Sequence, residues 1–329
     1  MCSIDVSIFC TAYNHERYIA KCIEGILAQE TTYSWELLIN DDASTDSTAT
    51  IIRSYAESYP GKIKAFYQKE NLYSQKIGIA RTVFWPVAKG RYIARCEGDD
   101  FWTDPKKLQK QVDFLETHPD YSATVHAGKY VEESGGDRGD VFRAYDCDSL
   151  VSMEDAIKTW LVPTASFVYR ADLLRNGNPI RGNAPCGDVP MLLFLLLQGK
   201  VHYFNSVMSA YRVNSVSSLS SYYLRQGAQS QIERLDRLIE FYKRFDAFSS
   251  FAYSDTVKER CDYLEMSKYL YTGDRAYLSD PGARKQYSRL SIKTKVANWL
   301  QRSNSGIARG VLSAYKAIKY RYLRLRKPI

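Results

Sequence analysis

The sequence predicts an α/β fold: a mostly parallel sheet flanked by helices, followed by a helical C-terminal extension. Three observations predict it. Short apolar runs alternate with amphipathic helical stretches through the first hundred residues. The runs are continuous rather than alternating apolar and polar, the mark of strands covered on both faces in βαβ units. Polar and acidic residues stand directly after several runs, where ligands bind in open parallel sheets.

Each element follows in order. Val6–Thr11 is the first strand. Between Glu16 and Gln29, the residues Ile19, Cys22, Ile23, Ile26 and Leu27 share one helical face. Trp35–Asn40 is the second strand and runs into Asp41-Asp42. Ser44 or Asp46 is placed to cap a helix carrying Ile51, Ile52, Tyr55 and Ala56, which Pro60-Gly61 ends. Ile63–Tyr67 reads as a strand, Gly78–Ala88 as a helix and Tyr92–Cys96 as a strand. Asp104-Pro105 supplies a cap and an N1 proline for a helix burying Leu108, Val112 and Leu115, and Pro119 closes it. Ser122–His126 is a strand, and the glycine-rich, charged stretch Glu132–Asp140 reads as a mobile loop. Met153–Leu161 is helical, Ser166–Tyr169 a strand, Val189–Gln198 a buried helix, and Val201–Phe204 and Val207–Tyr211 closing strands. Beyond about Tyr222 the chain is helical in character, so we expect an α/β domain over 1–221 and a helical region over 222–329.

At 329 residues, with 45% hydrophobic and 25% charged side chains, the composition is that of a globular protein of one large domain with an appendage, or of two domains. The 26 tyrosines offer flat faces to sugars and bases, although most are expected in packing roles. Seven cysteines without a C-x-x-C pair predict reduced thiols in a cytosolic protein. No apolar run approaches the ~18 residues of a bilayer span, and the N-terminus carries no signal pattern, so the protein is expected to stay where it is made. The formal charge is +8, but thirteen of the 45 Lys/Arg lie from Pro281 onward, where there is no acid; the other 32 stand against 37 Asp/Glu. A mildly acidic body with a basic tail points to an acidic partner for the tail, a membrane surface before nucleic acid.

Glu97-Gly98-Asp99-Asp100 places three acids at a strand end. Their repulsion is relieved by a hard divalent cation with oxygen ligands, Mn²⁺ or Mg²⁺, which would bridge a diphosphate and stabilise it as it leaves. A solvated acidic turn is the alternative reading. Three segments then occur in order. Val6-Ser7-Ile8-Phe9-Cys10-Thr11-Ala12-Tyr13-Asn14 resembles the opening strand of family 2 glycosyltransferases. Leu38-Ile39-Asn40-Asp41-Asp42-Ala43-Ser44-Thr45-Asp46 resembles that family's second-strand signature. Glu97-Gly98-Asp99-Asp100 resembles its D-x-D metal motif, with Glu in the first place. The resemblance covers about residues 4–215.

It implies a GT-A fold and an inverting, metal-dependent transfer from a nucleotide sugar. By position, Thr11, Tyr13 and Asp42 would hold the base and ribose, with Asp41 capping the following turn or sharing that role. A base-reading aspartate suggests a UDP-sugar. Arg81 matches a family position near the nucleotide; a helix-surface arginine is its other reading. Asp99 is the expected direct metal ligand, with Glu97 expected on the ribose or, through water, on the metal, and Asp100 expected on the transferred sugar or shaping the loop. Gly187-Asp188-Val189-Pro190 resembles the family's base motif, which makes Asp188 the candidate general base. A capping role for Asp188 is compatible with this and would keep its pKa low. Asn214 stands where many relatives carry a histidine, and it is not expected to bind metal. His15, His118, His126 and His202 show no metal-ligand spacing.

In the tail, Ile307, Val311, Tyr315, Ile318, Tyr322 and Leu325 form an apolar stripe flanked by Arg309, Lys316, Arg321, Arg324, Arg326 and Lys327. Such a helix suits an anionic membrane interface, or else packs on the protein. The expected acceptor is a saccharide or lipid-linked saccharide used in cell-surface polysaccharide synthesis, met at the inner face of the cell membrane. Two other readings compete. A nucleotidyltransferase would need a glycine-rich phosphate loop, which is missing near the N-terminus. A non-enzymatic nucleic-acid binder would need a basic body.

Overall fold

A computed structural model describes residues 4–134, 136–213 and 226–296. The chain divides into two compact units, residues 1–181 with 186–222, and residues 182–185 with 223–329.

Among its described residues the first unit is built on one mixed sheet of ten strands. They are β1 (Val6–Ala12), β2 (Trp35–Asp41), β3 (Ile63–Tyr67), β4 (Tyr92–Glu97), β5 (Phe101–Trp102), β6 (Tyr121–Val131), β7 (Asp137–Phe142), β8 (Ser149–Leu150), β9 (Val168–Arg170) and β10 (Lys200–Arg212). The order is β3-β2-β1-β4-β9-β6-β10-β5, with β7 added to β6 and β8 to β10. Strands β1 to β4 are mutually parallel, as their continuous apolar runs predict. β9 runs antiparallel between β4 and β6, and β6 pairs with β10 in parallel.

One face of the β1–β4 block carries α1 (Ile19–Leu27), α2 (Thr48–Ser58) and α3 (Lys107–Thr117). Ile19, Cys22, Ile23 and Ile26 of α1 are fully buried, packing with Ile8, Cys10, Ala94, Cys96, Leu108 and Val112. On the other face Phe9 meets Phe84 at 4.9 Å and Trp85 at 5.1 Å. The helix expected over 78–88 shortens to one π turn, Ala80–Phe84. Pro86 lacks the N–H that would continue it, although Trp85 before it still has helical dihedrals. The loop expected over 132–140 becomes in part β7, whose residues alternate exposed and half-buried against β6. The two closing strands are one strand, β10, with register shifts between Phe204 and Val207 and between Val207 and Ser209. Asp104 accepts from the Lys106 N–H at 2.8 Å, one turn ahead of α3 rather than as its cap.

Two further helices complete this unit, α4 (Met153–Lys158), capped by Ser152, and α5 (Asp188–Gln198). The second unit contains α6 (Gly227–Phe248), α7 (Ser254–Thr272) and α8 (Pro281–Arg289), and no strand among its described residues. Leu235, Leu238, Ile239, Tyr242 and Phe245 form the buried stripe of α6. Asp280 caps α8 through the Ala283 N–H at 2.9 Å, with Pro281 at the first helical position. The tail stripe and Asn214 lie outside the described residues.

Candidate active site

Parallel pairing sets the frame. Thr11 is opposite Glu97 on β4 and Asn40 on β2, and Ala12 is opposite Asp41, so the three sequence motifs end together at one edge of the sheet. The loops after β1 and β2 are then stitched to each other. The Asn14 N–H donates to Ser44 Oγ at 2.9 Å, and Asn14 Oδ1 accepts from the Thr45 N–H at 2.9 Å. The Glu16 N–H donates to Asp46 at 3.1 Å, while Glu16 accepts from the Ser47 N–H at 3.0 Å. Asn14 takes a left-handed φ of 54° to do this, a conformation asparagine tolerates better than most residues. Ser44 and Asp46 therefore serve as clamps between loops.

The two adjacent aspartates differ sharply. The Asp42 carboxylate, expected on the nucleotide base, accepts from the Leu72 N–H at 2.8 Å and the Tyr73 N–H at 3.0 Å, and the residue is 2% exposed. It holds the 71–73 loop. Asp41 accepts from the Ser44 N–H at 3.2 Å with one oxygen, the turn cap that its sequence position offered. Its other oxygen, Oδ1, is buried without a hydrogen-bond partner. Of the pair, Asp41 keeps the open acceptor. Thr11 is half-buried at the edge, and the Tyr13 ring is 40% exposed. Arg81 is exposed on the π turn, and no hydrogen bond or ion pair joins it to the acids.

Glu97, Asp99 and Asp100 converge, each offering a carboxylate oxygen within 4.8 Å of the others. Desolvation, then the neighbouring Asp99, pushes Glu97 up to about 7, and Arg95 opposes the rise. Asp100 is raised well above the carboxylate range, first by burial and then by Asp99 and Glu97. Its Oδ1 accepts from the Arg212 N–H at 2.9 Å, while Oδ2 is buried and unpartnered. Crowded acids and an orphaned carboxylate oxygen fit a hard divalent cation, whose charge would remove both penalties. Gly98 is required by packing: a Cβ there would lie 2.7 Å from His15 Nδ1, 3.0 Å from Ile19 Cδ1 and 3.1 Å from Ala12 Cβ.

Sequence reasoning missed the residue that holds this turn from behind. Besides its backbone bond to Asp100, Arg212 donates to the Asp99 carbonyl at 2.9 Å and to the Glu132 and Glu133 carbonyls at 3.0 and 2.7 Å. Its guanidinium lies 4.4 Å above the Tyr18 ring. No local signal marks Arg212, because its partners are more than 75 residues away.

Asp188 opens α5 and lies near enough to Glu97 to raise it further. It does not cap the helix as expected: Gly187 holds the cap position without a side-chain bond. Asp188 instead accepts from Trp160 Nε1 at 2.5 Å and from the Val189 N–H at 2.9 Å. Its pKa is raised, not lowered, because desolvation outweighs these bonds. A separate cavity of about 430 Å³ at the opposite end of β4, lined by Lys89, Arg91, Arg170 and Arg175, holds none of these residues. Of the histidines, His118 and His202 both stack on Phe114 at 4.0 Å.

Residues 7–177 match the model of the family described as glycosyl transferase family 2. The chain belongs to that family. An uncharacterized protein of Mycobacterium tuberculosis is 32% identical over 213 residues, covering 63% of this chain and 58% of that protein. The chain thus spans less than two thirds of the mycobacterial relatives it matches. Among solved structures, residues 1–349 of S. aureus TarS in complex with UDP superpose with a TM-score of 0.56 at 14% identity, covering 98% of this chain and 87% of that one. The Pyrobaculum calidifontis mannosyltransferase PcManGT in complex with GDP-Man and Mn²⁺ gives 0.56 at 15%, covering 98% and 86%. At these identities the neighbours establish the fold, which is the GT-A arrangement of a family 2 transferase.

Proposed function

We propose that the chain is an inverting, metal-dependent hexosyltransferase that moves a sugar from a nucleotide sugar, most consistently a UDP-sugar, to a saccharide or lipid-linked saccharide in cell-surface polysaccharide synthesis. The observation that carries this reading is the convergence of Glu97, Asp99 and Asp100 within 4.8 Å, with an unpartnered buried oxygen on Asp100. Family membership favours it over a nucleotidyltransferase or a nucleic-acid binder. The Mn²⁺ and GDP-Man bound to one structural neighbour, and the UDP bound to another, support the same donor chemistry.

In this reading Asp99, with Glu97 and Asp100, holds Mn²⁺ or Mg²⁺, which when bound neutralises the diphosphate as it departs. The open Oδ1 of Asp41 accepts the N3–H of uracil, and the exposed Tyr13 ring stacks on the base beside Thr11. Asp42 acts by ordering the 71–73 loop. Asp188 takes the proton of the acceptor hydroxyl as that oxygen attacks the anomeric carbon. The bond from that carbon to the diphosphate breaks with its electron pair on the diphosphate, and the configuration inverts. The raised pKa of Asp188 makes it a stronger base than a capping aspartate would be. The basic, apolar-striped tail brings the enzyme to the anionic inner face of the cell membrane.

The test is incubation of the protein with UDP-sugars and Mn²⁺, following release of UDP. Metal-dependent donor hydrolysis that Asp99→Asn abolishes is the expected result. Turnover unaffected by that substitution, or no release with any nucleotide sugar, overturns the reading and leaves a degenerate member of the fold.

A further inference from the structure

Two tryptophans of the first unit use their indole N–H differently. Trp102 donates to a backbone carbonyl, that of Ala165 at 3.2 Å, and is 3% exposed, as a core residue should be. Trp160 donates to a side-chain carboxylate, Oδ2 of Asp188, and is half-buried. It follows α4 closely and meets rings from two strands. Phe142 of β7 lies 4.5 Å from it at 34°, and Tyr211 of β10 lies 5.1 Å away at 68°. Tyr130 of β6 closes the group, 5.5 Å from Phe142 and 6.1 Å from Tyr211. None of these four rings is in the core, although Tyr203 on the same strand as Tyr211 is fully buried.

A half-buried aromatic wall bonded to a carboxylate suits a pyranose. The ring's C–H face packs on aromatic faces, while its hydroxyl edge reaches a hydrogen-bond acceptor. Trp160 Nε1 engages one oxygen of Asp188 and the Val189 N–H the other at 2.9 Å, so the plane of the carboxylate is fixed. The Cys186 thiol also donates to this carboxylate, and an incoming hydroxyl would use the acceptor capacity that remains. Fixing a group at hydrogen-bond range from its reaction partner is where orientation contributes most to rate.

Resting on the reading of Asp188 as the base, we propose that Trp160 is its positioning residue, and that Tyr130, Phe142, Trp160 and Tyr211 form the platform on which the acceptor's sugar ring stacks. The substrate class is a pyranoside presenting a free hydroxyl toward Asp188 and an apolar ring face toward the wall.

The probes are octyl β-glucoside, octyl β-galactoside and octyl N-acetyl-β-glucosaminide, added to the full chain with UDP and Mn²⁺. Emission of the wild type minus that of Trp160→Phe isolates one indole. A saturable change in that difference with at least one glycoside supports the platform. No change with any of them, while UDP still binds, overturns it without touching the donor reading. In turnover, Trp160→Phe keeps a ring but removes the N–H. We expect kcat to fall about tenfold or more with acceptor KM nearly kept, whereas Phe142→Leu should raise KM about tenfold and spare kcat. Unchanged kcat in Trp160→Phe overturns the positioning role. If Asp188→Asn also keeps kcat, it is the base assignment that has failed.

Discussion

Glu97 shows what the site asks of one residue. Its folded pKa, about 7, stands above the ordinary glutamate value of 4.5 because burial and Asp99 disfavour its charge. An acid whose pKa rises on folding loses stability as pH climbs from the unfolded value through the folded one, and the loss is complete above about 7. Glu97→Gln should therefore raise the stability of the metal-free protein at pH 8 by on the order of 1–3 kcal/mol, seen as a higher melting temperature. The same substitution should weaken the further rise that Mn²⁺ and UDP produce, and thermal unfolding with and without them reads both effects. Asp188→Asn should instead leave UDP binding intact and slow transfer by ~10²-fold or more, measured as kcat against donor Kd. At this scale the sequence was legible where a residue type carries its own chemistry: three acids at a strand end, or an acid before an apolar helix. It was not legible where a neighbour decides. Asp41 and Asp42 are chemically identical, and only the backbone of Leu72 and Tyr73 consumes both oxygens of one of them.

Among elements, the turn after β4 depends on the helix that follows β1. Gly98 nestles against His15 and Ile19, with no space for a methyl group. Gly98→Ala should cost about 1–3 kcal/mol by overpacking and displace Asp99, so reduced thermal stability and weaker Mn²⁺ binding should appear together. α3 carries a different burden. Lys107 is fully buried, its Nζ 2.7 Å from Gln111 and 4.2 Å above the Trp102 ring, and burial holds its pKa down to about 7. Between about 7 and the unfolded value near 10.4 only the unfolded chain keeps this proton, so stability rises with pH across that window. Lys107→Met should flatten that slope, and melting curves from pH 7 to 10 will show it. Periodicity located α1, α3 and α5 because each buries one face over several turns. It missed β5 and β8, two residues each, which are too short for any period, and it divided β10 where the strand bulges.

For the molecule as a whole, the parallel β1–β4 block could be read from the sequence because βαβ linkage dictates it locally. The insertion of β9 between β4 and β6 could not, since three residues gain that place only from partners far along the chain. The basic tail is where we expect a property of the entire protein to reside. Removing residues 297–329 should abolish co-sedimentation with anionic vesicles, while donor hydrolysis persists. Unchanged sedimentation of the shortened protein would refute that. The grip of Arg212 on the turn at Asp99 and Asp100 spans 112 positions of chain for one of its bonds. A nascent polypeptide still emerging from the ribosome thus carries its acids without the Arg212 part of this lock until β10 is complete. If the acids hold a metal as proposed, their full set of supports is assembled only as the last strand of the sheet slides home.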